Sequence, residues 1–419
     1  MIDFGTVGAM TGTWKTTITA LVAMAVLTAA GCSTAPRTPA EPAPTSAAGG
    51  TAGGAAEQWV GTWAVAVQRG GREFGKQTVR QIAHTSIGGS GVRVRLSNVF
   101  GTGPLTLANI HVALSTGGAA IDPATSTAVT FGGSPTVTIP AGQAAQSDAI
   151  GFTLPAGGDV AVSAYLPNGS GATTQHAYAG RHNYVGWNDQ TTNATIQDAQ
   201  TVDSYFFLAG VDVRNPEAEG AVVTLGASIT DGRESTLGAN RRWPDLLAAR
   251  FTAAGRTVGV LNTGINGDKL LLDGGDQSAQ TRFDRDALDQ PGVKWIIFSD
   301  AAINDLGDER PTGDQLITAL KSLIRRSHDA GVKIFCSTLT PFEGTGYWSA
   351  EGETGRTAVN AFLRSAGSGC DAVVDLDTAT HDPNDKTRYL PAYDSGDHLH
   401  PNDAGMRAIA NAVDLSLFR

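Results

Sequence analysis

The sequence predicts an α/β fold with a parallel sheet and flanking helices, preceded by an antiparallel β-sandwich. Three observations carry that expectation. Short alternating apolar and polar runs fill residues 58–215, compact apolar runs separated by helical stretches fill residues 216–419, and the pattern changes abruptly at Pro216.

In the first half, Val92-Arg-Val-Arg-Leu96 alternates as a half-buried strand should. Thr136-Val-Thr-Ile139 and Asp159-Val-Ala-Val-Ser-Ala-Tyr165 repeat the habit between Gly or Pro residues, with no helical stretch among them. In the second half, Ala221-Val-Val-Thr-Leu225, Thr257-Val-Gly-Val-Leu261, Trp295-Ile-Ile-Phe298, Val332-Lys-Ile-Phe335 and Ala372-Val-Val-Asp-Leu376 read as strands buried on both faces. Leu316, Ile317, Leu320, Leu323 and Ile324 share one helical face, and Met406, Ile409, Ala410 and Val413 share another. Strands alternating with helices place reactive residues at the carboxyl ends of the strands.

The remaining length is a leader and a tether. Lys15, the apolar run from Thr16 to Ala30 and Gly31 before Cys32 describe a signal peptide over residues 1–32. Ala29-Ala-Gly-Cys32 resembles a bacterial lipobox, which would make Cys32 a lipidated N-terminus and a membrane tether. Residues 33–57, rich in Pro, Ala, Gly and Ser, read as a disordered linker. The expectation is an exported protein, as a cell-surface lipoprotein or a secreted one.

A chain of 419 residues with 41% apolar residues can bury a sizeable core. Its 52 glycines and 17% charged residues suit turns and short strands. A formal net charge of −10 with no basic run argues against a nucleic-acid partner. Cys336 falls late in one expected strand and Cys370 just before the next. In neighbouring parallel strands such positions lie at opposite ends, so both two free thiols and a disulfide stay open.

Four short segments could carry chemistry, and each alone is ordinary. Ser228, in Gly226-Ala-Ser-Ile-Thr-Asp-Gly232, stands just past a buried strand where a tight turn would expose it. Gly264, in Asn262-Thr-Gly-Ile-Asn-Gly267, could turn its N–H toward a developing oxyanion, and Asn304, in Ala302-Ile-Asn-Asp305, could add an amide donor. Asp397 and His400, in Asp394-Ser-Gly-Asp-His-Leu-His-Pro-Asn402, stand three apart before a helix that Pro401 can start. That spacing lets the carboxylate accept from His400 Nδ1 and leaves Nε2 for a hydroxyl. Without a His-x-x-x-His pair or a nearby Cys ligand, the segment does not read as a zinc site, and no metal is expected.

In this order and placement the segments resemble the four blocks of the SGNH, or GDSL-type, hydrolase family, from about Val222 to Leu417. Arg241-Arg-Trp-Pro-Asp245, the phrase from Pro391 to Gly405 and the opening Trp59-Val-Gly-Thr-Trp63 are similar to secreted actinobacterial members with a β-rich domain ahead of the catalytic one. The resemblance implies a three-layer α/β/α, flavodoxin-like hydrolase domain over 216–419, a β-sandwich domain over 58–215, and ester hydrolysis without a cofactor. It implies that Ser228 attacks the acyl carbon, His400 takes its proton and Asp397 orients His400. The Ser228 N–H, the Gly264 N–H and the Asn304 side chain would hold the oxyanion. Two positions depart from the family: Ala227 replaces the Asp of Gly-Asp-Ser, and Ala302 stands where the third block has Gly.

The expected function is that of a serine carboxylesterase for short acyl groups, with acetyl esters of polysaccharide as one substrate class. Acyl transfer to an alcohol through the same triad is the alternative, and sugar binding without catalysis a third. Trp59, Trp63 and Trp187 fit core packing better than a sugar platform, and His84, His111, His176 and His182 carry no signal.

Overall fold

An apolar run with helices on both faces must disappear from solvent, and the strand Gly220–Leu225 is buried along its whole length. The protein is seen here in a computed structural model that describes residues 58–419. The expected signal segment, the lipidation at Cys32 and the linker 33–57 lie outside those residues. Four parallel strands follow the first: Val258–Asn262, Val293–Phe298, Lys333–Ser337 and Ala372–Val374. Counted along the chain, they lie in the order 2-1-3-4-5. In this doubly wound arrangement the direction of winding reverses between strands 1 and 3, which opens a crevice at their carboxyl ends.

Helices cover the sheet for reasons visible in their sequences. Gly313–Asp329 opens with a capping box between Thr312 and Gln315 and buries Leu316, Leu320, Leu323 and Ile324. Asp403–Ala412 buries Met406, Ile409 and Ala410. The C-terminal Phe418 meets Phe251, Trp295 and Phe335 edge-on, with centroids 4.9, 5.5 and 5.1 Å away, and so closes one end of the core.

The first half is an antiparallel β-rich domain, as the alternating runs predict. One sheet joins Trp59–Ala64, Leu208–Arg214, Gly89–Ser97 and Ile150–Leu154. A larger one is built around Gln77–His84, Asp159–Leu166 and Leu105–Gly117. The architecture changes between Arg214 and Gly220, near the boundary expected at residue 216. The two halves nevertheless pack as one compact unit around one continuous apolar core. Gly61 and Gly259 mark the contact, because a Cβ on Gly259 would sit 2.2 Å from Gly61 O.

One sequence argument is corrected. Cys336 and Cys370 form a disulfide, with Cα atoms 5.9 Å apart. The fifth strand is short and starts late, with Ala372 opposite Phe335 and Val373 opposite Cys336. This stagger brings Cys370 alongside Cys336 instead of leaving it at the far end of the sheet.

Candidate active site

The first strand ends in a turn that only small residues permit. A Cβ on Gly226 would lie 2.3 Å from Thr230 Oγ1 and 2.4 Å from Asp300 Oδ1. Ser228 then opens the short helix Ser228–Asp231, which Gly232 ends at φ 98°. Arg282 is fully buried and holds the turn from behind. It donates to Gly226 O at 2.9 Å and Thr263 O at 2.7 Å while paired with Asp268 at 2.6 Å. The loops after strands 1 and 2 are thereby fixed to each other.

The loop before the last helix brings its side chains to the same place. Asp397 Oδ1 accepts the N–H groups of Leu399 and His400 at 3.0 and 2.8 Å, and Oδ2 lies 2.6 Å from His400 Nδ1. His400 Nε2 lies 2.8 Å from Ser228 Oγ. An ionised carboxylate can only accept, so Nδ1 carries the proton and Nε2 is free to accept from the Ser228 hydroxyl. Burial pushes the Asp397 carboxyl up, but the His400 and Leu399 bonds outweigh it and hold it down at about 2. Pro401 does not start the helix. It forms a bridge with Asp394, and Asn402 caps the helix by accepting from Ala404 and Gly405.

Asn304 and Gly264 fare differently. Asn304 is half-buried on the helix Ala301–Asp308, and its Nδ2 donates to Asp268 O at 2.8 Å. Gly264 gives its N–H to Asn262 Oδ1 at 3.0 Å, and a Cβ there would lie 2.3 Å from Asp231 N. Its missing side chain thus serves close packing on the Ser228 helix, and its N–H is engaged. Gly267, at φ 76° and next to the peptide that Asn304 holds, makes no N–H bond among the described residues.

Three residues of the site carry no signal in the sequence. Arg282 is one, and Asp300, which accepts from the turn around Ser228, is another. The third is His176, from the β-rich half, whose Nε2 lies 3.0 Å from Asp231 Oδ1 on the Ser228 helix and whose Nδ1 lies 2.8 Å from Ala66 O. Both partners accept, so the ring carries both protons and forms a buried ion pair with Asp231. Burial lowers its pKa, yet Asp231 outweighs this and leaves it raised. No local pattern marks their bonds to the Ser228 turn, because Arg282 reaches Gly226 across 56 residues, and Asp300 and His176 reach the Ser228 helix across 71 and 55.

A Ser, a His and an Asp thus lie hydrogen-bonded in line at the crevice of a doubly wound α/β sheet. Residues 224–408 match the GDSL-like Lipase/Acylhydrolase family. The chain therefore carries an SGNH/GDSL-type hydrolase domain behind a β-rich one. Among solved structures, a putative lipolytic protein of the G-D-S-L family from Desulfitobacterium hafniense is 18% identical, with a TM-score of 0.37 over 46% of this chain and 97% of that one. A variant of an acetyl xylan esterase from Geobacillus stearothermophilus is 21% identical, with a TM-score of 0.36 over 46% and 93%. A carbohydrate acetylesterase family member from Sinorhizobium meliloti is 18% identical, with a TM-score of 0.37 over 46% and 94%. No curated protein matches the chain.

Proposed function

We propose that the protein is an exported serine carboxylesterase acting on short acyl esters, among them acetyl esters of carbohydrate. The observation that carries this is the unbroken line from Asp397 through His400 to Ser228 Oγ, with bonds of 2.6 and 2.8 Å. His400 Nε2 takes the hydroxyl proton as Ser228 Oγ bonds to the acyl carbon, and Asp397 balances the imidazolium. The carbonyl oxygen becomes an oxyanion that the Ser228 N–H and the Asn304 amide stabilise. Gly267 supplies the third N–H in place of the engaged Gly264. As the tetrahedral species collapses, the leaving alcohol takes the proton from His400. Water then repeats the sequence on the acyl-enzyme, releasing the acid and restoring Ser228.

Further observations support the reading. A cavity of about 260 Å³ beside Gly267 is lined by Asn266, Asp268, Lys269, Asp276 and Asp308, with Leu272 as its one large apolar side chain, which suits a hydroxyl-rich alcohol better than a fatty chain. The Asp397 side chain is 44% exposed, so water reaches the site and favours hydrolysis over transfer. The Cys336–Cys370 bridge supports an oxidising compartment and hence export. The test is hydrolysis of p-nitrophenyl acetate, butyrate and decanoate by the protein and by Ser228→Ala, with and without added alcohol. Turnover of the short esters that vanishes in Ser228→Ala is expected. Activity surviving that substitution would sink the mechanism, and an ester product formed with the added alcohol would turn it into a transferase.

A further inference from the structure

The helix Ser228–Asp231 has no cap of its own. Its N-cap position is Ala227, which offers no side-chain hydrogen bond. That position ordinarily carries Ser, Thr, Asp or Asn, whose oxygen takes an N–H two or three residues on. Here the oxygen comes from a different strand. Leu225 at the end of strand 1 lies opposite Phe298 at the end of strand 3, and Ser299 N–H donates to Leu225 O at 2.9 Å. The next residue, Asp300, is thus delivered beneath the turn, where it is only 4% exposed.

Its carboxylate is filled by that turn. Oδ2 accepts the Ile229 N–H at 2.8 Å, and Oδ1 accepts the Ala227 N–H at 3.1 Å and the Thr230 hydroxyl at 2.5 Å. The Gly226–Ala227 and Ser228–Ile229 peptides, one before and one after the peptide that carries the Ser228 N–H, are therefore clamped by one group. The Ser228 N–H itself makes no hydrogen bond among the described residues. A neutral Ser at position 227 would be enough to close four residues of helix. A buried carboxylate is costlier, and it is satisfied only because it grips three donors in one rigid frame.

We propose that Asp300 is a positioning residue that caps the Ser228 turn from the neighbouring strand, and so sets both Ser228 Oγ against His400 and the Ser228 N–H toward the acyl oxygen. The proposal rests on Ser228 being the nucleophile. Misplacing a reacting atom by about 1 Å costs on the order of a hundredfold in rate, so the effect belongs in turnover and not in substrate affinity.

The experiment measures kcat and KM on p-nitrophenyl acetate, per serine titrated with a fluorophosphonate for the wild type, Asp300→Ala, Thr230→Val and the double variant Ala227→Asp/Asp300→Ala, and per mole of folded protein for Ser228→Ala, which has no serine to titrate. A merely structural role would lower the titratable fraction and leave turnover per titrated serine unchanged. Asp300→Ala is expected to lose about tenfold to a hundredfold in kcat per titrated serine with KM little changed. The double variant, which moves the carboxylate to the N-cap itself, is expected to recover most of that loss. If Asp300→Ala fails to fold, Thr230→Val removes one of the carboxylate's donors while keeping its charge, and kcat is again expected to fall. Wild-type turnover per titrated serine in the folded variants, or no recovery in the double variant, would overturn the role of Asp300 alone. Activity in Ser228→Ala would overturn it together with the esterase reading.

Discussion

Asn304 uses one amide N–H on Asp268 O, which leaves the other for a ligand. Removing that donor in Asn304→Ala should cost about 3 kcal/mol of barrier, read as a fall in kcat of about a hundredfold or more with KM little changed. A rise in KM at constant kcat would assign Asn304 to ground-state binding instead. The pH profile follows from Asp397. Its lowered carboxyl keeps its contribution above the ordinary value of about 3.9 and loses it only as pH falls through about 2. Between about pH 4 and 7 Asp397 should therefore stay ionised and add no step of its own to the profile, and a carboxyl NMR titration that places Asp397 in that window would overturn this reading. Ser228, Asp397 and His400 were legible because local grammar places them: a serine after a buried strand, and a carboxylate three residues from a histidine before a helix. Asp300 and His176 were not, because their bonds span 71 and 55 residues and exist only once the sheet has closed. Gly264 misled for a related reason. A glycine after a strand signals close approach, but what approaches it, the Ser228 helix, is a tertiary fact.

At the scale of elements, the Ser228 helix is held on one side by strand 3 and on the other by the β-rich half. The His176–Asp231 pair is buried on both partners, so His176→Ala should leave an uncompensated carboxylate and destabilise the protein by about 3–5 kcal/mol in urea unfolding. The sign with pH is set by the raised imidazole. Its stabilisation is fully present below the unfolded value of about 6.5 and is lost as pH rises through the higher folded value. Wild-type protein should therefore lose stability over that interval, and His176→Ala should not. Equal slopes in the two proteins would deny the ion pair. The five parallel strands were readable as unbroken apolar runs, and three strands of the β-rich half and the two amphipathic helices from their periodicity. Their lateral order and stagger were not, and stagger is what allowed a disulfide where strand ends looked too far apart.

For the molecule as a whole, the Cys336–Cys370 bridge closes a loop across 34 residues and ties the fourth strand to the segment entering the fifth. Reduction should lower the unfolding free energy by about 3–4 kcal/mol, measurable as a shift of the guanidinium midpoint. An unchanged midpoint would mean that the bridge contributes nothing to the folded state. The change of grammar at Pro216 falls between the antiparallel strand that ends at Arg214 and the parallel one that starts at Gly220, but the shared core joins what composition separates. Nothing in a linear pattern of apolar residues says which half a buried side chain will face.

The second parallel strand, Val258–Asn262, is the outer strand of its sheet, and its Val260 N–H is taken by Ser86 Oγ of the β-rich half at 2.9 Å. Gly61 lies against the same strand, and its own N–H reaches Pro291 O at 2.9 Å. A protein cut at residue 216 would present that edge bare, as a template on which a second copy could add its own. The β-rich half thus covers the edge that a second copy would otherwise meet. A shortened enzyme would be expected to fail first as a colloid, through clumping, before any loss of chemistry could be observed.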